Sequence, residues 1–402
     1  MMTNPDPCVP ALPVTLESLP AHAQRERHAR ARWATRALFG ALGVLGGVWG
    51  AHIPSLKSVY GLDEASLSLV LFCAAIGAVS SLFVAGRVIG RLGARRTALV
   101  TGLVMAAAQA TALLWPSVYF LMFACLFFGT SMSIYDVAIN AEGTALEHQS
   151  GQPVMGNLHG CFSLGAMAGA ALAAAALRGG VDAALQMALS GALLGGVALS
   201  VGRHMLDARP TPPTDGSAQV HFVWPRGLLL VIGLLIFAGM TAEGVMYDWC
   251  VLYLKQEVGM PQDLAALGYA AFAGAMAVAR FGGDALRSRY SERTLLRNSA
   301  LLAAVAMAVV LTSGEAWVSL IGYAFVGAGL APIVPILYTA ASRVPGTSSA
   351  AAIAAASSIG YSGFLVGPPL IGGIAHAWSL TAAMTVVVIA AAALAIGARR
   401  VG

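Results

Sequence analysis

The amino-acid sequence predicts an all-α polytopic membrane protein, with twelve transmembrane helices arranged as two pseudo-symmetric six-helix bundles. Three features predict this fold class. The 402 residues are 58% hydrophobic and only 10% charged, with a mean hydropathy of +0.77, and a soluble surface needs more charge. The apolar runs are about 20 residues long, which suits bilayer-spanning helices rather than alternating barrel strands. The second half of the chain also repeats features of the first.

Each apolar run is predicted to form one transmembrane helix, separated from the next by a short polar, glycine- or proline-containing segment. The narrowest breaks are at residues 115–117 and 376–379. The twelve predicted spans are residues 33–58, 64–86, 97–115, 117–141, 155–177, 181–203, 226–254, 262–284, 294–313, 316–341, 347–375 and 379–398.

The distribution of Lys and Arg predicts the side of the membrane that each loop faces, because cytoplasmic loops carry an excess of both. With the N-terminus inside, 20 of the 23 basic residues lie on the cytoplasmic side. Lys57, Arg178 and Lys255 are the three that lie outside. An even number of spans then places the C-terminus in the cytoplasm as well.

A repeat divides the chain into two halves. The stretch LKSVYGL at 56–62 shares its spacing with LKQEVGM, which follows 198 residues later. Each precedes an alanine-rich helix that runs into a basic loop, as expected for two bundles related by an axis along the membrane normal. The predicted units are a cytoplasmic tail at 1–32, an N-terminal bundle at 33–204, a cytoplasmic linker at 205–224 and a C-terminal bundle at 225–402.

Composition and motifs argue against nucleic-acid binding, enzymatic activity and a resident cofactor. The basic residues behind the net charge of +5 flank apolar runs and form no patch with interleaved aromatic residues. The five cysteines show no metal-ligand spacing, so no metal site is expected. The sequence has no phosphate-binding glycine loop and no nucleophile elbow. Transport driven by an ion gradient is the resulting interpretation, and a membrane-embedded sensor or enzyme is the alternative from another class.

Four short motifs carry a resemblance to a known family. The loop GRVIGRLGARR (86–96) resembles the Gly-x-x-x-Asp-Arg-x-Gly-Arg-Arg loop of the major facilitator superfamily, with Gly90 in place of the acid. GFLVGPPLIGG (363–373) resembles its Gly-x-x-x-Gly-Pro-x-x-Gly-Gly motif. GTSMSIYDVAINAEG (129–143) and AEGVMYDW (242–249) look like the fucose-permease-like branch and its uncharacterised bacterial inner-membrane relatives.

The resemblance implies the major facilitator fold and a monomeric secondary transporter of the bacterial inner membrane. Such a protein moves a small polar solute, sugar-like or another metabolite, by alternating access, and its partners are the solute, protons and the lipid bilayer. Proton-driven efflux of amphipathic compounds is the alternative within transport, because it suits apolar walls and scattered methionines. The sequence leaves the solute and the direction of transport open.

The seventh span holds two carboxylates where water is scarce, and they are the first candidates for a substrate and proton cavity. Glu243 and Tyr247 are four residues apart and share a helix face, whereas Asp248 lies nearer the outer surface. His52 lies at a similar depth in the first span, the repeat partner of the seventh, and we expect it to face Glu243 as a titratable pair. Trp49, about one turn below His52, is expected either to stack on a solute ring or to be a packing residue.

His159 begins the fifth span from the cytoplasmic side. We predict either a second titrating group on the inner path or an interfacial residue. Its sequence context, GNLHGCFSLG, does not separate the two.

The basic loops predict a cytoplasmic gate, because their arginines can pair with acids and helix C-termini of the other half. Asp136 and Asn140 share a helix face at the cytoplasmic end of the fourth span. Because Gly90 replaces the usual acid, Asp136 is expected to supply a partner for Arg87 or Arg91, whereas Glu142 is expected to be solvated. The candidate gate residues are Arg87, Arg91, Arg95, Asp136, Asn140, Arg280 and Asp284.

Glycines and prolines at helical spacing predict close helix packing and interruptions of the helices. Small residues let backbones approach, and prolines remove hydrogen bonds where helices bend. The predicted packing and break positions are Gly165, Gly169, Pro332, Pro335, Gly363, Gly367, Pro368 and Pro369.

Overall fold

The computed structural model describes residues 21–208, 224–345 and 347–401. This part of the chain forms fourteen α-helices and two 3-10 helices. They are α1 (Ala21–Val59), α2 (Glu64–Leu92), α3 (Ala94–Ala110), α4 (Val118–Ser150), α5 (Met155–Arg178), α6 (Ala183–Val201), α7 (Leu228–Gln256), α8 (Gln262–Phe281), α9 (Gly283–Arg289), α10 (Glu292–Ser313), α11 (Ala316–Leu330), α12 (Ile333–Ser342), α13 (Ser349–Ala377) and α14 (Leu380–Gly397), with 3-10 helices at Gly202–His204 and Ala398–Arg400.

The predicted all-α polytopic fold class is confirmed. Among the described residues, eleven helical segments are long and apolar enough to cross a membrane, judged by length and composition. The third predicted span is α3, which has 17 residues and is shorter than these. The tenth span consists of α11 and α12, which are interrupted around Pro332 because proline donates no backbone hydrogen bond.

The first and fourth helices extend beyond their predicted ends. α1 begins at Ala21, so twelve residues of the predicted tail 1–32 are helical. These residues are mostly Ala, Arg, Gln and Glu, which favour helix, and Arg30 pairs with Glu26 one turn before it at 3.2 Å. Of the predicted linker, residues 209–223 lie outside the described part of the chain.

Backbone contact between α1 and α5 holds the N-terminal bundle together. A Cβ atom at Gly43 or Gly47 would overlap the carbonyl oxygens of Phe162 and Ala166. From the other side, Cβ atoms at Gly165 and Gly169 would overlap the carbonyls of α1. Only glycine allows this approach of two helices, which gains dispersion contacts over its whole length.

The chain that leaves the N-terminal bundle is anchored by Glu142 of α4. The expectation of a solvated Glu142 is wrong, because the residue is fully buried. Its carboxylate accepts the backbone N–H groups of Leu206 and, at 3.2 Å, Ala208. The carboxylate of Asp207 accepts the N–H of Arg95 at 3.2 Å. An acid thus lies at the N-terminus of α3, where the helix dipole favours negative charge.

The two bundles meet along helix pairs from opposite halves: α2 with α13, α5 with α8, and α1 with α7 and α8. At the predicted outer face, a Cβ at Gly372 of α13 would overlap the Ser68 side chain of α2. The ring of Tyr269 from α8 lies against Gly50 of α1, where a Cβ would overlap the ring. At these positions, a glycine on one half leaves space that a side chain of the other half fills.

Candidate functional site

A salt bridge inside the C-terminal bundle joins Glu243 of α7 to Arg280 of α8. Arg280 Nη2 lies 3.0 Å from Glu243 Oε1, and the side chains are 16% and 14% exposed respectively. Glu243 is the sixteenth of the 29 residues of α7, near its middle. An unpaired charge at the centre of a span costs roughly 2.5–3.5 kcal/mol on insertion scales, and here each group neutralises the other.

Antiparallel packing of α7 and α8 explains how Arg280 reaches this depth from the end of its helix. Lys255 Nζ donates to Gln262 Oε1 over 2.9 Å, which marks a common level of the two helices. From that level Arg280 lies about 27 Å along α8 and Glu243 about 18 Å along α7, at 1.5 Å per residue. Helical side chains lean toward the N-terminus of their helix, so the long Arg280 side chain leans toward Glu243.

Arg280 also contacts the N-terminal bundle. Its Nη1 donates a hydrogen bond to Ser163 Oγ of α5 over 2.7 Å. Tyr247, one turn along α7 from Glu243, interacts with both members of the ion pair. One guanidinium group therefore connects a carboxylate of one half with a hydroxyl group of the other.

Aromatic side chains form the outer wall of this polar cluster. The Tyr247 ring lies 5.5 Å from Tyr269 and packs edge-on against Phe272 at 5.3 Å. The Tyr247 hydroxyl donates to Met276 Sδ over 3.5 Å. The Tyr269 hydroxyl donates to the carbonyl of Gly46 in α1 over 3.3 Å, so the aromatic wall belongs to the interface between the halves.

A second polar group, here called the outer chain, starts at His52, which is fully buried. Gln186 of α6 donates through Nε2 to the carbonyl of Val181, which leaves its Oε1 facing His52 Nε2 at 3.0 Å. An amide oxygen only accepts, so His52 Nε2 carries the proton in this arrangement. His52 Nδ1 then accepts from Ser55 Oγ, 3.0 Å away.

The outer chain continues into the other half through Gln262 of α8. Gln262 Nε2 donates to Ser55 Oγ over 2.8 Å and to the carbonyl of Ala51 over 3.0 Å. Its Oε1 accepts from Lys255, as described above. Gln186, His52, Ser55, Gln262 and Lys255 therefore form one hydrogen-bonded series that crosses between the bundles near the predicted outer face.

The predicted pairing of His52 with Glu243 is wrong for this structure. Both ring nitrogens of His52 are engaged by Gln186 and Ser55, and Glu243 is engaged by Arg280. Sequence spacing placed His52 and Glu243 at similar depth but could not show that Arg280 leans into the interior from the end of α8.

Two further cavity candidates occupy packing positions. Trp49 is 8% exposed and its ring stacks on Phe128 of α4 at 4.9 Å, so that ring face is occupied by protein. Asp248 is half-buried in a narrow crevice between α7 and α13, together with Thr241 and Phe364. It is separate from the cluster around Arg280, one turn further along α7.

His159 lies on α5 near the polar cluster. Its ring packs edge-on against Phe39 of α1 at 5.4 Å, and it lies within electrostatic range of Arg280. The structure thus brings it toward the middle of the molecule, one turn before Ser163 on the same helix.

The inner-loop arginines Arg87, Arg91 and Arg95 are exposed, and none forms an ion pair within the described residues. Arg280, which the sequence grouped with them, lies instead in the interior pair with Glu243. Asp284 falls in α9, and its side chain lies outside the described part of the structure.

Asp136 and Asn140 lie on α4, which packs against α2 and α3. Asn140 Nδ2 donates to the backbone carbonyl of Asp136 over 2.8 Å. Asp136 is half-buried and close enough to Tyr361 of α13 for electrostatic interaction. It therefore faces the second bundle rather than the arginines of the first loop.

The predicted breaks differ in effect. Pro332 and Pro335 lie at the junction of α11 and α12, whereas Pro368 and Pro369 lie inside the continuous α13. On α13, a Cβ at Gly363 would lie 2.7 Å from Thr241 Oγ1, while one at Gly367 would meet no atom within 4 Å. Gly363 is thus a close-packing position and Gly367 borders open space.

An exposed contact between a histidine and a carboxylate also crosses between the halves at the predicted outer face. His376 Nδ1 in the last turn of α13 lies 3.5 Å from Asp63 Oδ2. Asp63 caps α2 by accepting the N–H of Ser66 over 2.8 Å. The hydrogen bonds from Ser66, with a smaller contribution from His376, hold the pKa of Asp63 below its ordinary value, so this carboxyl is charged at neutral pH.

Sequence reasoning missed several residues of these clusters, among them Ser163, Gln186, Gln262 and Tyr269. Each of these four residues bonds a partner on a helix distant in sequence, so its role cannot be recognised from the neighbouring residues. Only Gln262 could have been suspected from the sequence, because it lies just after the repeated loop motif that contains Lys255. The partners of the other three depend on the crossing of the helices.

Comparisons with known proteins agree with this architecture. The model of the Major Facilitator Superfamily matches residues 34–368. An uncharacterized MFS-type transporter of Yersinia pestis is 33% identical over 374 residues, covering 92% of this chain and 95% of that protein.

Two solved structures share the fold at low sequence identity. A D-xylose-proton symporter is 15% identical with a TM-score of 0.73, covering 92% of this chain and 96% of that chain. The fucose:proton symporter of E. coli is 17% identical with a TM-score of 0.63, covering 92% and 97%. The relatives and the fold are those of transporters rather than enzymes. This chain is a multi-pass membrane protein that belongs to the Major Facilitator Superfamily.

Proposed function

We propose that this protein is a proton-coupled secondary transporter that moves a small polar solute across the bacterial inner membrane by alternating access. The observation that carries the proposal is the half-buried pair of Glu243 and Arg280, with Ser163 of the other half bound to the same guanidinium. A charged network that spans both halves responds to their relative movement. It can also exchange its partners for those of a solute.

The coupling follows from the competition for Arg280. A guanidinium has five N–H donors in a planar fork, and it binds carboxylate, phosphate or hydroxyl oxygens of a solute. When a proton neutralises Glu243, the attraction that holds Arg280 is reduced and its donors become available. When the solute leaves, the ion pair re-forms and the proton is released. Glu243 is thus the proton carrier, and Arg280, Tyr247 and Ser163 contact the solute.

The solute class follows from the surroundings of the pair. Tyr247 offers an aromatic ring and a hydroxyl group beside Arg280, a combination that suits a polar ring with several hydroxyl groups. Transporters of similar fold include a xylose–proton and a fucose–proton symporter, which supports a sugar-like solute and a proton as the coupled ion.

Alternating access is supported by the location of the contacts between the halves. The outer chain and the pair of Asp63 with His376 close the predicted outer face. On the predicted cytoplasmic face, Arg91 and Arg95 are exposed, and we propose that they pair with the second half when that face closes. The loop orientation follows the Lys and Arg distribution, with both termini in the cytoplasm.

The test begins with thermal unfolding of the purified protein against a panel of sugars, nucleosides and amphipathic dyes at two pH values. A compound that stabilises the protein is then used in proteoliposomes, where its entry is followed with a pH-sensitive dye inside the vesicles. We expect solute-dependent proton movement and accumulation driven by a pH gradient. If only the dyes stabilise the protein, the proposal of a polar solute is wrong and an amphipathic solute takes its place.

Glu243→Gln separates transport from coupling. It mimics the protonated carboxyl, so we expect solute exchange between the two sides to persist while accumulation driven by a pH gradient is lost. Glu315→Gln, in the exposed loop before α11, is the matched control and should accumulate solute as the parent does. Undiminished accumulation by Glu243→Gln would refute the coupling role of Glu243.

A further inference from the structure

A cavity of about 180 Å³ opens at the predicted cytoplasmic end of the C-terminal bundle. Its deepest residue on α7, Ile232, lies about 16 Å along that helix from Glu243, at 1.5 Å per residue. The cavity lies where the start of α7, the start of α10, the end of α12 and the C-terminal 3-10 helix meet. Its polar lining is Glu292, Arg343 and Arg400, and its apolar lining includes Leu228, Ile232 and Val344. The cavity is thus amphipathic.

The charges around the cavity favour an anion. Glu292 has each carboxylate oxygen engaged, by Arg287 Nη2 at 3.4 Å and by Arg343 Nη1 at 3.1 Å. Arg400 is exposed and has no acidic partner among residues 21–208, 224–345 and 347–401. The lining of the cavity therefore carries two guanidinium groups against one carboxylate, and Arg287, which does not line it, already pairs with that carboxylate.

Arg343 retains most of its binding capacity. It is 66% exposed, and one of its five N–H donors is used by Glu292. The remaining donors lie in the planar fork that matches the oxygens of phosphate in pairs. A cation with free donors at the edge of a cavity is available to a ligand, whereas one fully engaged by carboxylates is not.

The first residue of α7, Leu228, lines the same cavity. The preceding residue is Gly227, which has no side chain to accept the N–H groups of the first turn. The positive end of the dipole of this 29-residue helix is therefore directed to the same region as the arginines. This adds to the attraction for an anion that Arg343 and Arg400 already provide.

We propose that this cavity binds a phosphate group attached to an apolar or glycerol-like body. Arg343 and Arg400 hold the phosphate oxygens, while Leu228, Ile232 and Val344 contact the body of the ligand. This chemistry is offered by the headgroup of an anionic phospholipid and by a soluble phosphate ester. The cavity is separate from the proposed solute path, so the two proposals are tested by different measurements.

The experiment measures thermal unfolding of the full chain at constant ionic strength set with chloride. In neutral detergent the probes are inorganic phosphate and glycerol phosphate. In lipid nanodiscs, phosphatidylglycerol is compared with phosphatidylcholine. We expect a raised unfolding temperature with at least one phosphate source, and the responding arm identifies lipid headgroup or soluble ester. No response to any of the three anionic probes would overturn the proposal.

Variants assign the response to the cavity. Arg343→Gln and Arg400→Gln should each weaken binding about fivefold, because one basic residue near a membrane surface contributes that much to binding of an anionic lipid. Arg399→Gln, the exposed neighbour of Arg400 that does not line the cavity, is the matched control and should bind as the parent does. An equal loss of binding in all three variants would show that the probe responds to general surface charge, and would overturn the proposed site. Arg400→Gln leaves the ion pairs of Glu292 intact, so it tests the site even where Arg343→Gln folds poorly.

Discussion

Arg280 and Glu243 lie 3.0 Å apart in the interior of the C-terminal bundle, and the same guanidinium group reaches Ser163 of the N-terminal bundle at 2.7 Å. A buried ion pair is costly to desolvate, so its net stabilisation is small while the loss of one partner is severe. The pair is thus better suited to a change of partners than to holding the fold together.

This asymmetry gives a stability prediction. Arg280→Gln and Glu243→Gln should each lower the free energy of unfolding by about 3–5 kcal/mol, because each leaves one charge unpaired at depth. The double variant should recover most of that loss. Thermal unfolding in detergent measures it, and equal destabilisation of the single and double variants would show that the two groups do not depend on each other.

The outer chain predicts a conformational effect. Gln262→Ala removes the hydrogen bonds to Ser55 and Ala51 that cross between the bundles, so the population with an open outer face should increase. Distances between spin labels placed on the two halves at the outer face should lengthen.

Gln109→Ala is the matched control for the outer chain. Gln109 is fully buried whereas Gln262 is half-buried, and it donates to the Leu45 carbonyl and to Ser190 Oγ within the N-terminal bundle. It should lower stability without changing the distance between the halves. If both variants lengthen the distance between the halves equally, the effect of Gln262→Ala is a general destabilisation of the protein and not the loss of a contact between the halves.

The inner arginines predict the opposite movement. Arg91→Gln or Arg95→Gln removes contacts that we expect only when the cytoplasmic face is closed, so that face should open more often. Spin-label distances at the cytoplasmic face should grow, while those at the outer face stay short. Unchanged distances would leave this loop as an orientation signal alone.

Glycine packing predicts a contrast between two alanine substitutions. Gly165→Ala places a methyl group against the backbone of Gly40, which the two helices accommodate only by separating. Gly196→Ala on α6 meets no atom within 4 Å and gains helix propensity of about 1 kcal/mol. The first variant should unfold at a lower temperature than the parent and the second should not. Similar behaviour of both would contradict the close approach of α1 and α5.

Orientation can be tested with an impermeant thiol reagent on intact spheroplasts of a cysteine-free variant. A cysteine at Glu315, in the exposed loop between α10 and α11, should react in intact cells. One at Gln152, in the exposed loop between α4 and α5, should react only after lysis. The reverse pattern would invert the predicted orientation. Lys57 is a poor target for amine reagents because it is 15% exposed and paired with Glu64.

The sequence predicted the fold class well because composition and the length of hydrophobic runs are properties that can be read without knowing the tertiary contacts. Residues such as Leu228 and Gln262 begin helices within two residues of the predicted positions. α1 was predicted too short because its first twelve residues are polar, and a hydrophobic criterion does not detect a helix that continues past the membrane.

The candidate site was predicted less completely. Glu243 was recognised from its depth alone, since a carboxylate inside an apolar run demands a partner. Its partner Arg280 was not recognised. Arg280 is at the end of α8, and whether its side chain extends to Glu243 depends on helix packing and side-chain direction. Trp49 illustrates the reverse case, since Phe128 occupies the ring face that a solute was expected to use.

The contact between α1 and α5 has a mechanical consequence. With carbonyl oxygens of one helix against glycines of the other, no layer of side chains separates them, so neither can slide without breaking contact along its whole length. The two helices form a single rigid unit. Since α1 touches α7 and α8, and α5 touches α8, this pair of helices forms much of the surface against which the opposite half packs. In the proposed alternating access, we therefore expect α1 and α5 to move together without sliding past each other.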